Sequence, residues 1–362
     1  LLRAQIEAPN NDTTLAGSPV IIGLVDGSSS LPVATDEMEH ADALEDIILD
    51  AACTAESCGI EVVRTLGLPL DETGALLDPS GGLYGTRAHV ALGIVEAVER
   101  WKEEAATGDP DTRLVINLSL GWVAPSGGSA GGPSEADPWP LGGSHADAYQ
   151  AFMSSPSVDF PTRVAVESVH AALLYATCHG ALVVASAGNI KTDSCNAEPV
   201  APAVWAQYPA PTDAECISLG FGDPQSAGGD FVRARPLLHP ISGVEPDYEP
   251  IALTRPGSET KLVAAGSHAT AGPHTALTGT SVSAAVASSA FALLWSQDLH
   301  LSPGDVIERV TDGANHIGRP SSLPEYDWAA GMSLPGAPSA SRLKPYSEHN
   351  RVIFDEANSI TA

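Results

Sequence analysis

The sequence predicts an α/β fold, with a mostly parallel central sheet and helices on both faces. Two observations predict it. Short apolar runs rich in β-branched residues alternate with longer stretches whose apolar residues recur at helical spacing, the pattern of βαβ units. The short runs are also continuously apolar rather than alternating, as strands covered on both faces must be.

The elements follow in order. "PVIIGLVDG" (19–27) is a buried strand that stops at an Asp-Gly turn. "EHADALEDIILDAAC" carries apolar residues near helical spacing from Ala41 onward and predicts a helix beginning around His40. "IEVVRTLG" (60–67) is the next strand. "RAHVALGIVEAVERWKEEA" is an amphipathic helix with Val90, Ile94, Val95 and Val98 along one face. "RLVINLSLG" (113–121) is again a buried strand. The stretch from about 123 to 161 is rich in Gly, Ser and Pro, cannot pack a core, and reads as an insertion. "RVAVESVHAALLYATCHG" predicts a helix and "ALVVASAGN" a strand ending at Asn189. "ECISLGFGD" and "KLVAAGS" are expected as further strands. Residues 282–295 are apolar throughout and predict a central helix, and Ser302 before Pro303 caps a last one. A single domain over residues 1–345 with a tail at 346–362 is the expected organisation.

The bulk composition narrows the function classes. Hydrophobic residues at 43% against 17% charged describe a globular chain able to bury a large core. No uninterrupted apolar run approaches the length of a membrane span. A formal charge of −28 argues against nucleic acid as partner, because phosphate binding needs clustered Lys and Arg. No GxGxxG or GxxxxGK[ST] follows a strand, which removes a nucleotide-binding reading. Five cysteines leave at least one unpaired. Cys178, inside an apolar helical pattern, is expected as a buried thiol, whereas Cys195 and Cys216 flank a Pro-rich loop and could be bridged, which would fit export. The chain opens "LLRAQIE" without Met, so a processed form is expected.

In parallel α/β sheets, active groups gather at the carboxyl ends of the strands. Asp26, Ser119 and Asn189 all stand at strand ends, and Ser281 opens the late apolar helix, preceded by Gly279 and Thr280. Peptide hydrolysis by a serine needs a hydroxyl, a base to take its proton, an acid to orient the base, and donors aimed at the oxyanion. The candidates occur in the order Asp26, His40, Asn189, Ser281. Each alone is an ordinary turn residue, helix cap or surface histidine. Together, at compatible elements, they outline a site.

With these motifs in hand, the chain resembles the subtilisin-like serine peptidases. "IIGLVDG" is similar to the strand carrying the acidic residue, "VINLSLG" to the strand lining the cleft, "LVVASAGN" to the segment of the oxyanion asparagine, and "LTGTSVSAAVA" to the serine motif. "EYDWAAGM" is similar to the segment that closes the domain. The likeness runs over roughly 15–335. It implies a three-layer sandwich, a triad of Asp26, His40 and Ser281, and oxyanion stabilisation by Asn189. It also implies a polypeptide substrate held by Ser119, Leu120 and Gly121 at a strand edge, with Ser186, Ala187 and Gly188 as another wall. Family habit adds a cleaved N-terminal pro-segment, and a secreted or periplasmic location is expected. No cofactor and no obligate metal are expected, because the usual calcium loop after the histidine helix is missing and no acidic run has EF-hand spacing.

The motif neighbourhoods depart from the family. Gly27 directly follows Asp26, Ala41-Asp42-Ala43 follows His40, and Ala285 stands where the family has proline. "YGTRAHVALG" makes His89 a rival base, but chain order favours His40, because His89 would leave "EVVRTLG" as a surplus strand before the motif. A serine endopeptidase is the expected function. A pseudopeptidase serving as a binding module and a transpeptidase (macrocyclase or ligase) are the alternatives.

Overall fold

The computed structural model describes residues 20–26, 40–52, 60–65, 87–122, 160–190, 199–221, 236–246, 249–255, 260, 262–267, 269, 277–316, 331–332 and 351–352. The insertion expected at about 123–161 lies almost wholly outside them, as do Cys53, Cys58, Cys195 and most of "EYDWAAGM".

The strands are β1 (Val20–Leu24), β2 (Ile60–Arg64), β3 (Arg113–Leu118), β4 (Leu182–Ser186), β5 (His239–Val244), β6 (Leu262–Ala265), β7 (Ala314–His316), β8 (Gly331–Met332) and β9 (Arg351–Val352). They form one sheet in the order β2-β1-β3-β4-β5-β6-β9-β7-β8. The pairings from β2 across to β6, and of β6 with β9, are parallel, while β7 pairs antiparallel with β8 and β9. β9 lies within the stretch expected as a tail. The helices are α1 (His40–Ala52), α2 (Arg87–Thr107), α3 (Phe160–Cys178), α4 (Asp213–Ser218), α5 (Thr280–Gln297) and α6 (Pro303–Gly313), with a 3₁₀ turn at Ala203–Gln207. Among the described residues no helix is long and apolar enough to cross a membrane.

The continuous apolar strands are explained by the layers on either side. Successive side chains of a strand point to opposite faces. Val20, Ile22 and Leu24 of β1 therefore join one core with α1, α5 and α6, while Ile21 and Val25 join a second core with α2 and α3. β4 divides likewise, with Leu182 and Val184 on the first side and Val183 and Ala185 on the second. A polar residue on either phase needs a partner inside a dry layer, as Asn117 of β3 has in Ser288. The result is a three-layer α/β sandwich.

Helix α5 is buried on all sides from Thr280 to Leu293 and lies across β1 and β3 to β6. Its small residues permit that depth. A Cβ on Gly243 or Gly266 would stand 2.8 or 2.4 Å from Ser283 Oγ, so both glycines let the strands approach the helix closely. The hydroxyls this buries are bonded: Ser288 Oγ donates to Ala284 O at 2.8 Å and accepts from Asn117 Nδ2 at 3.0 Å, and Ser289 Oγ donates to Ala285 O at 3.0 Å. α6 begins as the sequence predicts: Ser302 Oγ accepts from Asp305 N, and Asp305 Oδ2 accepts from Ser302 N, both at 3.1 Å.

Two local expectations are corrected. "ECISLGFGD" is not a strand: its first residues belong to α4, because Thr212 and Glu215 form a reciprocal capping box that starts a helix two residues earlier, at Asp213. Cys178 is not a free thiol: it is bonded to Cys216, tying the end of α3 to α4, so Cys216 does not pair with Cys195. β5 escaped the sequence reading, since Pro240 and Gly243 interrupt its apolar signal.

Candidate active site

The parallel order brings the carboxyl ends of β1, β3 and β4 side by side, and α5 points its N-terminus at them. Asp26 lies two residues beyond β1 and is 1% exposed. His40 is the first residue of α1, and its Nδ1 lies 2.9 Å from Asp26 Oδ2. The imidazole remains 20% exposed. Burial disfavours the imidazolium, but the charge of Asp26 and its hydrogen bond outweigh that, and the His40 pKa is raised above the ordinary value. A buried carboxylate holding one ring nitrogen also fixes which nitrogen of the neutral ring carries the proton. Arg64 on β2 binds Asp42 and Glu45, anchoring the first turns of α1 to the sheet.

Ser281 is the second residue of α5 and is 8% exposed. Its hydroxyl donates to the Ser119 carbonyl at 3.0 Å. In return Ser119 Oγ lies 3.0 Å from Ser281 O and 2.7 Å from Asn117 Oδ1, so the end of β3 and the head of α5 are stapled together. Among the described residues no hydrogen bond joins Ser281 to His40.

Asn189 follows β4 through Gly188, which holds a positive φ of 94°. Asn189 Oδ1 accepts from Thr280 N at 3.0 Å and from Thr280 Oγ1 at 3.1 Å. With its oxygen engaged on the helix, the amide presents its NH₂ group as the free donor. That group lies against Gly279, where a Cβ would come 2.9 Å from Nδ2. Val282 N and Ser283 N turn back on Gly279 O, leaving the Ser281 N–H as a first-turn donor of α5 with no partner among the described residues.

The expected substrate walls are close by. Ser119 and Leu120 bury their side chains, and Gly121 is half-buried. Trp122 N and O pair with Ala201 O and N, both at 2.9 Å. Ser186 and Ala187 are buried, and Gly188 N donates to Thr280 Oγ1 at 3.1 Å. Thus Asp26 meets His40, and Asn189 meets the turn that carries Ser281. His89 lies on α2, in the layer opposite α5. Among the described residues no three His, Cys, Asp or Glu side chains converge as a metal site would need. Sequence reasoning missed Thr280 as the residue that orients Asn189, although it stands inside the serine motif, and missed Asn117 and Ser288, whose contact spans 171 positions.

The profile of the subtilase family (Peptidase_S8) matches residues 81–328. The chain is a subtilase. That family is one of serine peptidases, with polypeptide as the implied substrate, and the matched span holds Ser119, Asn189 and Ser281, whereas Asp26 and His40 precede it. Among solved structures, this subtilase is similar to MycP1 with its N-terminal propeptide removed, at 16% identity and a TM-score of 0.45, covering 84% of this chain and 86% of that one. It is similar to the prenylagaramide maturation protease PagA at 15% identity and a TM-score of 0.44, covering 86% and 89%. A second structure of MycP1, described as an essential component of the type VII (ESX-1) secretion system, is 18% identical with a TM-score of 0.43, covering 84% and 79%. Comparison with curated proteins finds no match.

Proposed function

We propose that this subtilase is an active serine endopeptidase in which Asp26, His40 and Ser281 form the triad and Asn189 serves the oxyanion. The observation that carries the reading is the 2.9 Å contact between the buried Asp26 carboxylate and His40 Nδ1, at the same end of the sheet as Ser281. Asp26 keeps the proton on Nδ1, so Nε2 is the base. On substrate binding the Ser281 hydroxyl turns from Ser119 O to Nε2, gives up its proton there, and Oγ attacks the peptide carbonyl carbon. The oxyanion accepts from Asn189 Nδ2 and the Ser281 N–H. His40 returns the proton to the leaving amine, the C–N bond breaks, and water repeats the sequence on the ester.

The peptide main chain pairs as an added strand beside residues 119–121, with 186–188 forming the other wall. The reading draws on groups of this chain alone and requires no cofactor. A pro-segment cleaved from the N-terminus and release into an oxidising compartment complete it, the latter supported by the Cys178–Cys216 bridge.

A fluorophosphonate probe tests the chemistry. Stoichiometric labelling of Ser281, blocked in Ser281→Ala, is expected; a folded chain that stays unlabelled is a binding module instead. Because His40 must be neutral to act as base, the raised pKa places the acid limb of kcat/KM above the ordinary imidazole value near 6.5, with activity lost as pH falls through it. A limb below that value would contradict the Asp26 pairing.

A further inference from the structure

Two glycines on opposite walls of the cleft report the same neighbour. A Cβ built on Gly121 would meet Val200 Cγ2 at 2.3 Å, and one built on Gly188 would meet Val200 Cγ1 at 2.6 Å and Cγ2 at 2.7 Å. The Val200 isopropyl group therefore fills the space between the wall that follows β3 and the wall that follows β4. Its backbone is tied to both. Val200 N donates to Ala187 O at 3.0 Å, and the next residue, Ala201, exchanges two hydrogen bonds with Trp122. Val200 is 8% exposed, so it cannot swing away into solvent. We infer that Val200 plugs the pocket for the side chain preceding the cut and restricts this subtilase to substrates with a small residue there, such as alanine or glycine. The inference rests on the proposed peptidase reading, in which these two segments hold the substrate.

The physical argument is volume. Both glycines are already in contact with the valine methyls through their α-carbons, so a long or aromatic side chain entering between the walls would have to displace one wall or the plug. Each methylene accepted or refused by an apolar pocket is worth about 10–200-fold in kcat/KM.

The test uses two peptidyl diphenyl phosphonates that differ only in the terminal aminophosphonate, the alanine or the phenylalanine analogue, alongside a fluorophosphonate that makes no use of the pocket. The readout is the second-order rate of Ser281 labelling by each. The expected result is that the wild-type chain reacts with the alanine analogue at least tenfold faster. Val200→Gly should shift the ratio at least tenfold toward the phenylalanine analogue; if that variant does not fold, Val200→Ala should shift it in the same direction. A wild-type chain that reacts with the fluorophosphonate but takes both phosphonates equally, prefers the larger, or takes neither overturns the plug and leaves the peptidase reading standing. So does an unchanged ratio in the folded variant. A wild-type chain unreactive to the fluorophosphonate overturns the peptidase reading, and the plug falls with it.

Discussion

The two faces of the sheet are equally dry but are filled in different ways. On the face of α5, the covering helix is made of Ala, Ser and Val from Ser281 to Ala290, before Phe291 and Trp295; its hydroxyls there are buried, and Ser283, Ser288 and Ser289 each find a carbonyl. On the face of α2 and α3 the space is taken by Leu, Val and Ile side chains and by Trp122 and Trp205, whose rings meet edge to face at 5.9 Å. There Glu167 Oε1 and Thr177 Oγ1 are buried without a hydrogen-bond partner among the described residues. Small side chains permit close approach and many short polar contacts, which fix positions. Large ones fill volume and tolerate looser polar accounting. The helix that must hold Ser281 and Thr280 in register with Asn189 is of the first kind.

The largest expected effects lie at the α5 head. Ser281→Ala and His40→Ala should each lower kcat on a peptide substrate by about 10⁶ while the thermal transition hardly moves, because a triad acts as a unit. His89→Ala, on the other face, should lower it less than threefold; the reverse outcome would exchange the two histidines. Next comes the tie between α3 and α4. Replacing both Cys178 and Cys216 by alanine should cost about 4 kcal/mol of stability, the loop-entropy value for a separation of 38 residues, without changing turnover per folded molecule in urea-titrated samples.

Gly279→Ala would press a methyl on the Asn189 amide and should cost about as much turnover as Asn189→Ala, about 10²–10³ in kcat, with KM little changed. If Gly279→Ala were silent, the amide would not be held where the oxyanion needs it. A last test separates the faces by pH. Burial raises the Glu167 pKa to about 8, so the folded state holds the proton more tightly than the unfolded chain. Stability should therefore fall as pH rises from about 4.5 to about 8, and Glu167→Gln should flatten that slope. A slope that survives the substitution would assign it elsewhere.

How much of this was legible in the sequence follows the range of the signal. β1, β3, β4, α2 and α5 declare themselves because apolar continuity and helical period are local properties of a dozen residues. α4 was misread because Cys216 to Phe221 looks like a strand when the Thr212–Glu215 cap before it is ignored. β5 is hidden because its fit to α5 depends on Gly243 having no side chain, which a hydrophobicity pattern scores as a loss. The candidates Asp26, His40, Asn189 and Ser281 were picked from their order and motifs, but the contacts of Asp26 with His40 and of Asn189 with Thr280 could not be. The bond from Thr280 to Asn189 crosses 91 positions and the Cys178–Cys216 bridge 38, and no local pattern encodes either. Val200, in a Pro-rich stretch, carried no signal at all.

One consequence follows from the position of β1. The span that matches the family begins at residue 81, yet β1 and β2 precede it, and β1 lies between β2 and β3 in the sheet. A fragment cut to the matched span would turn β3 from an interior strand into an open border. Apolar on both sides, it would offer a row of unsatisfied amides and carbonyls to any neighbouring chain. It would also uncover the flank of α5 that α1 now shields. Such a piece would clump rather than fold, so the boundary of recognisable ancestry is not a boundary of autonomous assembly.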